Sequence, residues 1–295
     1  MTEREELTLQ ISGTTTMLGL IGTPVAHSKS PAMYNHCFQK FGLDWAYLAF
    51  DIPAERAGEA VAAIRTLHMR GANVTMPCKN AVIPFLDELT PAARAIQAVN
   101  TIVNEDGVLV GHNTDGCGYT QNLRRNGIEV EGKKIVLLGG GGAASAIAIQ
   151  AALEGAAEIA VFNLRDTFWP RVEQGLKAIA QAAPGCAISL RDLEDRAALK
   201  AAIDRCDILS NATRVGMAPY EDQSNITDGS WYRPDLVVTD VVYAPPETKM
   251  LREARAAGCK TCDGLGMLLC QGAEAFRLYS SQEMPVEEIR ALLYT

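Results

Sequence analysis

Short apolar runs alternate with amphipathic or alanine-rich stretches along the first 116 residues of the chain. The apolar runs end at glycine, proline or polar positions, which is typical of short strands, whereas the longer stretches have helical spacing. The predicted strands are Met17–Ile21, Ala46–Ile52, Asn73–Met76, Thr101–Asn104 and Val108–Gly111, and the predicted helices are Pro31–Phe41 and Ala54–His68. Ser30 is predicted to cap the first helix. This half is therefore predicted to be an α/β layer.

The second half alternates more regularly. Its predicted strands are Lys134–Leu138, Glu158–Phe162, Asp207–Ser210 and Leu236–Val242. The segments between them have helical composition, and the chain from about Met267 onward is helical again. Buried strands that alternate with helices are typical of a doubly wound parallel sheet, so the fold class predicted for the whole chain is two-domain α/β.

A glycine-rich turn directly follows the first strand of the second half. Gly139, Gly141 and Ala144 fit the pattern G-x-G-x-x-[G/A], and the turn opens a helix that leads to another strand. Glycines allow the pyrophosphate of a dinucleotide to approach backbone N–H groups at a helix N-terminus. An ordinary tight turn is the alternative, but the strand–helix–strand context favours a Rossmann-type dinucleotide-binding domain.

The end of the following strand is where such domains choose between NAD and NADP. It has the sequence Asn163-Leu164-Arg165-Asp166. A carboxylate there accepts hydrogen bonds from the ribose hydroxyls and repels a 2′-phosphate, whereas an arginine binds that phosphate. Both charges could instead be solvated loop residues. The sequence favours NAD, with NADP as the weaker cofactor.

Polar side chains lie beside two strand ends in the first half. Ser28 and Ser30 stand two residues apart at a strand-to-helix junction, where they can face an anion or serve only the turn and the cap. Asn73 and Thr75 point the same way in an extended run. Lys79 follows them, and a lysine next to an alcohol can exchange a proton with it, although a single lysine is more often a solvated surface residue.

A third polar segment contains Asn100 and, further on, Asn113-Thr114-Asp115-Gly116. Taken by itself this tetrapeptide is typical of a turn. Asp115 stands at the junction of the two halves, so its carboxylate is a candidate partner for Lys79 and a candidate acceptor for a substrate hydroxyl.

Charge and composition exclude several classes of function. The formal net charge of -8 argues against nucleic-acid binding, which favours a basic face. It still permits a small anionic substrate held by a nearby cation. The sequence contains no run approaching the roughly 20 apolar residues of a membrane-spanning helix. The start, MTEREELTLQ, lacks the features of a signal peptide, so a cytoplasmic protein is expected.

The eight cysteines are expected to be free thiols, because no secretory signal accompanies them. Cys259 and Cys262 form one C-x-x-C, but the four histidines lie far upstream and a second pair is missing. A zinc site would need such ligands. The pair is therefore predicted to be structural, with one cysteine in a short strand, and no metal is predicted.

Seven motifs together resemble those of the shikimate dehydrogenase family. They are HSKSP at 27–31, GANVTMPCK at 71–79, AVNT at 98–101, GHNTDG at 111–116, GGGGAA at 139–144, NAT at 211–213 and GMLLCQGAEAF at 266–276. Each is weak by itself, but they follow the family's order and span nearly the whole chain. The resemblance implies reversible hydride transfer between a nicotinamide cofactor and a ring hydroxyl of shikimate or quinate.

The resemblance also implies domains and residue roles. A substrate-binding and catalytic domain would comprise residues 1–116 with helices at about 267–295, and a Rossmann domain residues 117–266. Lys79 and Asp115 match the catalytic pair. The substrate-binding positions are Ser28, Ser30, Asn73, Thr75, Asn100, Tyr243 and Gln271. The cofactor-binding positions are Gly139, Gly140, Gly141, Gly142, Ala143, Asn163, Leu164, Arg165, Asp166, Arg214, Val241, Gly264 and Met267.

One segment departs from the NADP-using members of the family. They carry Asn-Arg followed by a small hydroxyl residue, whereas Leu164 occupies the arginine position here and Asp166 follows Arg165. This resembles the quinate/shikimate dehydrogenases that accept NAD. Asn73 and Thr75 are both present, which favours shikimate, and quinate stays open as a second substrate.

Two other classes of function compete with this hypothesis. A non-catalytic relative that regulates transcription would lose Lys79 or Asp115 or gain a DNA-binding module, and the sequence does neither. A two-domain dehydrogenase for folates or amino acids would make HSKSP and GANVTMPCK coincidental. The sequence leaves the oligomeric state, monomer or homodimer, open.

Overall fold

A computed structural model describes residues 10–294 of the chain. The acidic segment 1–9, on which the expectation of no signal peptide rests, lies outside the described residues. Two compact units form: one comprises the chain up to Thr114 together with the chain from Gly272 onward, and the other comprises Asp115–Gln271. The predicted two-domain α/β class is confirmed. The division into a substrate domain and a cofactor domain at residues 116 and 267 stays a prediction.

Strands and helices alternate through most of both units. The strands are β1 Thr16–Gly22, β2 Trp45–Asp51, β3 Gly71–Val74, β4 Glu88–Leu89, β5 Thr101–Glu105, β6 Val108–His112, β7 Lys134–Leu138, β8 Glu158–Asn163, β9 Ala187–Asp192, β10 Ile208–Asn211, β11 Val237–Asp240 and β12 Lys260–Cys262. The helices are α1 Ser30–Lys40, α2 Ala57–Thr66, α3 Cys78–Ala81, α4 Pro91–Ile96, α5 Asp115–Arg125, α6 Gly142–Leu153, α7 Trp169–Ala182, α8 Arg196–Ile203, α9 Lys249–Ala256, α10 Gly264–Ser280 and α11 Val286–Tyr294.

The first unit is built on a mixed sheet with the order β2-β1-β3-β5-β6-β4. β1 pairs in parallel with β2 and β3, whereas β5 pairs antiparallel with β3 and β6. Val61 and Ile64 of α2 are buried in the same apolar cluster as Ile102 and Leu109 of the sheet. Because β1 and β3 run in parallel, the segments that follow them leave from the same edge of the sheet.

Two local predictions in the first unit are wrong. Ser30 is the first residue of α1 and not its cap, and the Ser28 hydroxyl accepts the hydrogen bond of the Ser30 amide at 3.2 Å. The predicted helix Ala54–His68 begins as a single 3₁₀ turn and ends at Thr66, because His68 adopts a left-handed φ of 52°. Neither the capping partner nor the sign of φ is visible in hydrophobic periodicity.

The second unit contains a fully parallel sheet with the order β12-β11-β10-β7-β8-β9. The chain goes from β7 to β8 on one side and then returns to β10 on the other side. The carboxyl end of β7 is therefore the point where the strand order reverses, and ligands of such sheets bind there. Leu138, Phe162, Leu209 and Val238 are buried in one apolar cluster beside this sheet.

Among the described residues, the cysteines form neither a disulfide nor a metal-binding cluster. All eight cysteines are free thiols, and Cys262 lies in β12. Burial raises the pKa of Cys206 to about 12 and that of Cys262 to about 11, so both remain protonated thiols at neutral pH. Within residues 10–294 there is no cluster of three or more metal-ligating side chains and no helix that is long and apolar enough to cross a membrane.

Candidate active site

Tyr47 hydrogen-bonds one of the predicted substrate-binding residues of the first unit. Its hydroxyl donates to Asn73 Oδ1 at 2.9 Å, and the Ser30 side chain lies near the same phenol. The Tyr34 ring stacks on Tyr47 at 4.5 Å. Burial raises the pKa of Tyr47 well above its usual value, so the phenol stays a donor. The sequence analysis missed Tyr47, because one aromatic residue in a half-buried strand has no local feature that distinguishes it.

Asn73, near the end of β3, is 7% exposed and hydrogen-bonded through its whole amide. Its Nδ2 donates to the backbone oxygen of Asn100 at 3.3 Å and to Thr101 Oγ1 at 3.1 Å. The backbone amide of Val74 also donates to the Asn100 oxygen at 2.7 Å. The structure therefore brings Asn73 and Asn100 together, and both of them lie beside the antiparallel pair of β3 and β5.

Asn100 fixes the backbone that precedes Asp115. Its Oδ1 accepts the Thr114 amide at 2.8 Å, and its Nδ2 donates to Thr114 Oγ1 at 3.0 Å. Asp115 then opens α5, where the N-terminal dipole favours a carboxylate. Thr114 hydrogen-bonds Asn100 and directly precedes Asp115. It is buried, and it was not among the predicted site residues.

Lys79 follows β3 as expected and lies on the short helix α3. Its backbone oxygen accepts the Val99 amide at 2.9 Å, which places α3 beside the Asn100 segment. In the structure, β3 ends at Val74, two residues before the end that was predicted at Met76. The Thr75 amide still donates to the Ile21 oxygen at 2.8 Å. The Lys79 side chain is half-buried.

The predicted residues are thus divided between the units. Ser28, Ser30, Asn73, Thr75, Lys79 and Asn100 belong to the first unit, and Asp115, Tyr243, Gln271 and all the predicted cofactor-binding residues belong to the second. Within the first unit, a hydrogen bond connects Asn73 with Asn100 and another connects the Ser30 amide with the Ser28 hydroxyl. Gln271 donates through Nε2 to the Leu268 oxygen at 3.0 Å in α10, and Tyr243 is 49% exposed.

The four glycines after β7 differ in how closely other atoms approach them. Gly139 has a φ of 99°, and an added Cβ would lie 3.0 Å from the Ala212 oxygen. A Cβ on Gly140 would lie 2.6 Å from a Val172 methyl group. A Cβ on Gly141 or Gly142, by contrast, would meet no described atom within 4 Å. The protein itself requires the first two glycines, and the last two leave the N-terminus of α6 open.

This open end fits a dinucleotide pyrophosphate. Gly141 is the N-cap of the 12-residue helix α6 and has no side chain that could accept the first-turn amides. Those amides and the helix dipole favour an anion. At the end of β8, Leu164 is 47% exposed and Asp166 Oδ1 accepts the Phe168 amide at 2.9 Å. The residues present therefore fit the nicotinamide dinucleotide that the sequence predicts.

A buried polar network centred on Asp240 supports the other loops of this unit. The Asp240 carboxylate is 3% exposed and accepts from Asn211 Nδ2 at 2.9 Å, the Val242 amide at 2.9 Å and Thr248 Oγ1 at 2.7 Å. Asn211 Oδ1 accepts the Thr213 amide at 3.1 Å. Burial raises the pKa of Asp240 to about 6 against these hydrogen bonds. The network orders the segments that carry Arg214, Val241 and Tyr243.

The sequence analysis missed Asp240, although one feature points to it. An aspartate that ends an apolar strand at the carboxyl edge of a parallel sheet is a candidate for loop support, because buried carboxylates need several donors. Gly264 fits tightly in the same region, since a Cβ there would lie 2.5 Å from the backbone oxygen of Val241. Met267, one turn further along α10, is 9% exposed.

Family models match both ends of the chain. A model described as the shikimate dehydrogenase substrate binding domain matches residues 20–102, and one described as the shikimate 5'-dehydrogenase C-terminal domain matches residues 264–294. Among curated relatives, shikimate dehydrogenase (NADP(+)) of Streptococcus uberis is 49% identical over 288 residues, which cover 97% of either chain. The protein of the same name from Listeria monocytogenes is 45% identical over 289 residues, 98% of this chain and 99% of the relative.

Solved structures that are similar to this chain also cover almost its whole length. Shikimate 5-dehydrogenase from Listeria monocytogenes in complex with shikimate and NAD is 45% identical, with a TM-score of 0.94 over 97% of this chain and 99% of that one. Quinate dehydrogenase from Corynebacterium glutamicum in complex with NAD is 31% identical, with a TM-score of 0.83 over 94% and 98%. With identity of this level over almost its whole length, the chain belongs to the shikimate dehydrogenase family.

Proposed function

We propose that the protein is a shikimate dehydrogenase, which reversibly oxidises the C3 hydroxyl of shikimate to the ketone of 3-dehydroshikimate with a nicotinamide cofactor. The observation that carries the proposal is the 45% identity over 98% of the chain with a relative named shikimate dehydrogenase, together with Lys79 and Asp115 in the matching motifs. The first unit would supply most of the substrate-binding residues, and the second the cofactor-binding residues.

Lys79 and Asp115 would move and hold the proton of the reacting alcohol. In the oxidation, Lys79 would accept the proton of the C3 hydroxyl as the general base. Asp115 accepts a hydrogen bond from the same hydroxyl and stabilises the ammonium by its charge. In the reduction, the Lys79 ammonium returns the proton to the developing alkoxide. When bound, the nicotinamide ring supplies the hydride acceptor or donor for C3.

The predicted substrate-binding residues of both units would recognise the ring and its carboxylate. Ser28 and Ser30, with Tyr243, are proposed to bind the carboxylate through hydroxyl donors. The proposed contacts to the ring hydroxyls come from Asn73, Thr75, Asn100 and Gln271. The hydrogen bond from Tyr47 to Asn73 supports this assignment, because it fixes the orientation of the Asn73 amide.

NAD is proposed as the preferred cofactor, with NADP as the weaker one. Gly139 to Ala143 would bind the pyrophosphate, and Asn163 to Asp166 the adenosine ribose. The exposed, apolar Leu164 offers a 2′-phosphate no charge, and the Asp166 carboxylate repels it. Arg214, Val241, Gly264 and Met267 would complete the cofactor site. The names of curated relatives include NADP(+), and one solved relative is in complex with NAD.

Quinate is proposed as a second substrate, because the neighbour from Corynebacterium glutamicum is named quinate dehydrogenase. Its extra hydroxyl and tetrahedral carbon at the carboxylate require room near Ser28 and Ser30. A cytoplasmic location and a monomeric or homodimeric state remain expectations from the sequence.

Steady-state assays with shikimate or quinate against NAD or NADP test these proposals, with the reduced cofactor followed by absorbance. Oxidation of shikimate with a higher kcat/KM for NAD than for NADP is expected. Preference for NADP would contradict the proposed role of Asp166. Absence of activity in all four combinations, with cofactor binding retained, would overturn the proposed reaction.

A further inference from the structure

The guanidinium of Arg165 is held in place although the side chain is 71% exposed. Its central carbon lies 5.0 Å from the centroid of the Trp169 ring, and its Nε lies 3.7 Å from Asp192 Oδ2. An indole face attracts a guanidinium through its quadrupole, and a carboxylate attracts it through its charge. Arg165 is therefore engaged by two protein groups before any ligand arrives.

The Asp192 carboxylate owes its position to the end of β9 and not to Arg165. Asp192 pairs with Asn163 in the parallel register of β8 and β9. Its Oδ1 accepts the Glu194 amide at 2.9 Å, which leaves Oδ2 directed at the arginine. The carboxylate is thus a fixed feature of the sheet edge, with a side-chain exposure of 27%.

This edge is continuous with the glycine turn. The Gly139 amide donates to the Phe162 oxygen at 2.7 Å, and a Cβ on Gly140 would lie 3.2 Å from Asn163 Cγ. Asn163 therefore lies between the glycine turn and Asp192. Because parallel strands end at a shared edge, a residue far along the chain from the ribose segment lies next to that segment in space.

We propose that Asp192 is a specificity-determining residue that disfavours NADP by occupying Arg165. The inference rests on the proposed function, in which this edge binds the adenosine ribose. An arginine is the side chain best suited to a 2′-phosphate, but here its charge is balanced by a carboxylate that also repels the phosphate. Asp192→Asn keeps the size and the hydrogen bond from Glu194 and removes the charge, so Arg165 becomes able to bind the phosphate.

Calorimetric binding of two adenosine fragments tests this without catalysis. The probes are 2′,5′-ADP, which carries the phosphate of NADP, and 5′-ADP, which lacks it. In Asp192→Asn, the Kd of 2′,5′-ADP is expected to fall about tenfold relative to that of 5′-ADP, and the NADP/NAD ratio of kcat/KM to rise by a similar factor. The double variant Asp192→Asn with Arg165→Gln is expected to lose this gain.

Asp204→Asn is the matched control, because it removes the same charge from the end of α8, where Asp204 pairs with Lys200. Three outcomes would each overturn the inference. The ratio of the two Kd values could be unchanged in Asp192→Asn, it could change equally in the control, or the gain could persist in the double variant. If the wild type oxidises shikimate with NAD in these cases, the proposed function stands. A wild type that neither binds the fragments nor oxidises shikimate would overturn both.

Discussion

At the scale of single residues, Asn73 differs from Lys79 and Asp115 in burial and in the role that its contacts support. Asn73 directs both amide hydrogens and its oxygen at Tyr47, Asn100 and Thr101. Its main effect is therefore to hold its neighbours in place. Lys79 and Asp115 lie in the first turns of α3 and α5 and are half-buried, which suits groups that must reach a ligand.

Replacement of Lys79 by alanine is expected to lower kcat for shikimate oxidation by about 10²- to 10⁴-fold, the range of general acid–base catalysis. The Kd of the cofactor should change little, because the proposed cofactor residues lie in the second unit. Steady-state kinetics and calorimetry measure the two quantities. Lys177→Ala, on the exposed face of α7, is the control and should retain full activity. A kcat close to that of the wild type would refute the role of Lys79.

Replacement of Tyr47 by phenylalanine removes the hydroxyl that donates to Asn73 Oδ1. We expect the KM for shikimate to rise several-fold and the free energy of unfolding to fall by about 1 kcal/mol, the usual net value of a buried hydrogen bond. Kinetics and denaturant titration provide the test. Tyr279→Phe is the matched control, because the buried Tyr279 hydroxyl has no hydrogen-bond partner among the described residues. Equal effects of the two variants would contradict the positioning role.

Among the elements, the junction of β7 and α6 combines two requirements in one run of four glycines. Gly139 and Gly140 are required by close packing against Ala212 and Val172. Gly141 and Gly142 are not crowded by the described part of the chain, so a requirement for glycine there must come from a ligand. Substitutions along this run should therefore affect folding at one end and cofactor binding at the other.

Replacement of Gly142 by aspartate is expected to raise the KM for the dinucleotide at least about tenfold, because a carboxylate at the helix N-terminus competes with the pyrophosphate for the same N–H groups. The melting temperature should stay the same or rise, since an acidic residue is favourable there. Gly140→Asp should instead lower the melting temperature, because its side chain would clash with Val172. Gly175→Asp, at an uncrowded position of α7, controls for the added charge. Tight cofactor binding by Gly142→Asp would contradict the site.

At the scale of the whole molecule, each unit buries an ionisable group whose protonation is linked to folding, and the two linkages have opposite signs. His112 lies at the end of β6 in the first unit, and Asp240 at the end of β11 in the second. Desolvation dominates at both and favours the neutral form. Acid therefore destabilises the protein through the histidine and stabilises it through the aspartate.

Burial lowers the pKa of His112, whose Nε2 has no hydrogen-bond partner among the described residues. The unfolded chain then binds more protons below the ordinary value near 6.5, so this contribution to stability is present above that pH and is lost as the pH falls below it. The free energy of unfolding between pH 7.5 and 5.5 should fall less in His112→Phe than in the wild type. His27→Phe, at an exposed position, serves as control. Identical slopes for His112→Phe and the wild type would rule out the linkage.

Burial raises the pKa of Asp240 from 3.8 to about 6, so the folded state binds the extra proton. The resulting stability is present below about 3.8 and is lost as the pH rises through about 6. Between pH 4 and pH 7 the wild type should lose about 2 kcal/mol relative to Asp240→Asn, since one pKa unit corresponds to about 1.4 kcal/mol and part of the effect lies below pH 4. Denaturant titrations at the two pH values measure this difference. A difference near zero would mean that the carboxylate stays ionised throughout.

The sequence by itself determined the features that depend on neighbouring residues. The glycine turn was predictable because strand, turn and helix follow one another along the chain, and glycine is needed where the backbone must approach its neighbours. The same holds for β7, β8 and the hairpin of β5 and β6, whose bounds agree with the predictions to within a residue. The predicted site residues came from short motifs of this kind, and their roles remain proposals.

The tertiary structure decided which polar groups meet. Tyr47 reaches Asn73, Asp192 reaches Arg165, and Asp240 reaches Asn211, each across strands or loops that are distant in sequence. Hydrophobic periodicity reports which face of an element is buried, but not the order or register of the strands. Partners of buried polar groups depend on that order and register, so they became visible only in the folded chain.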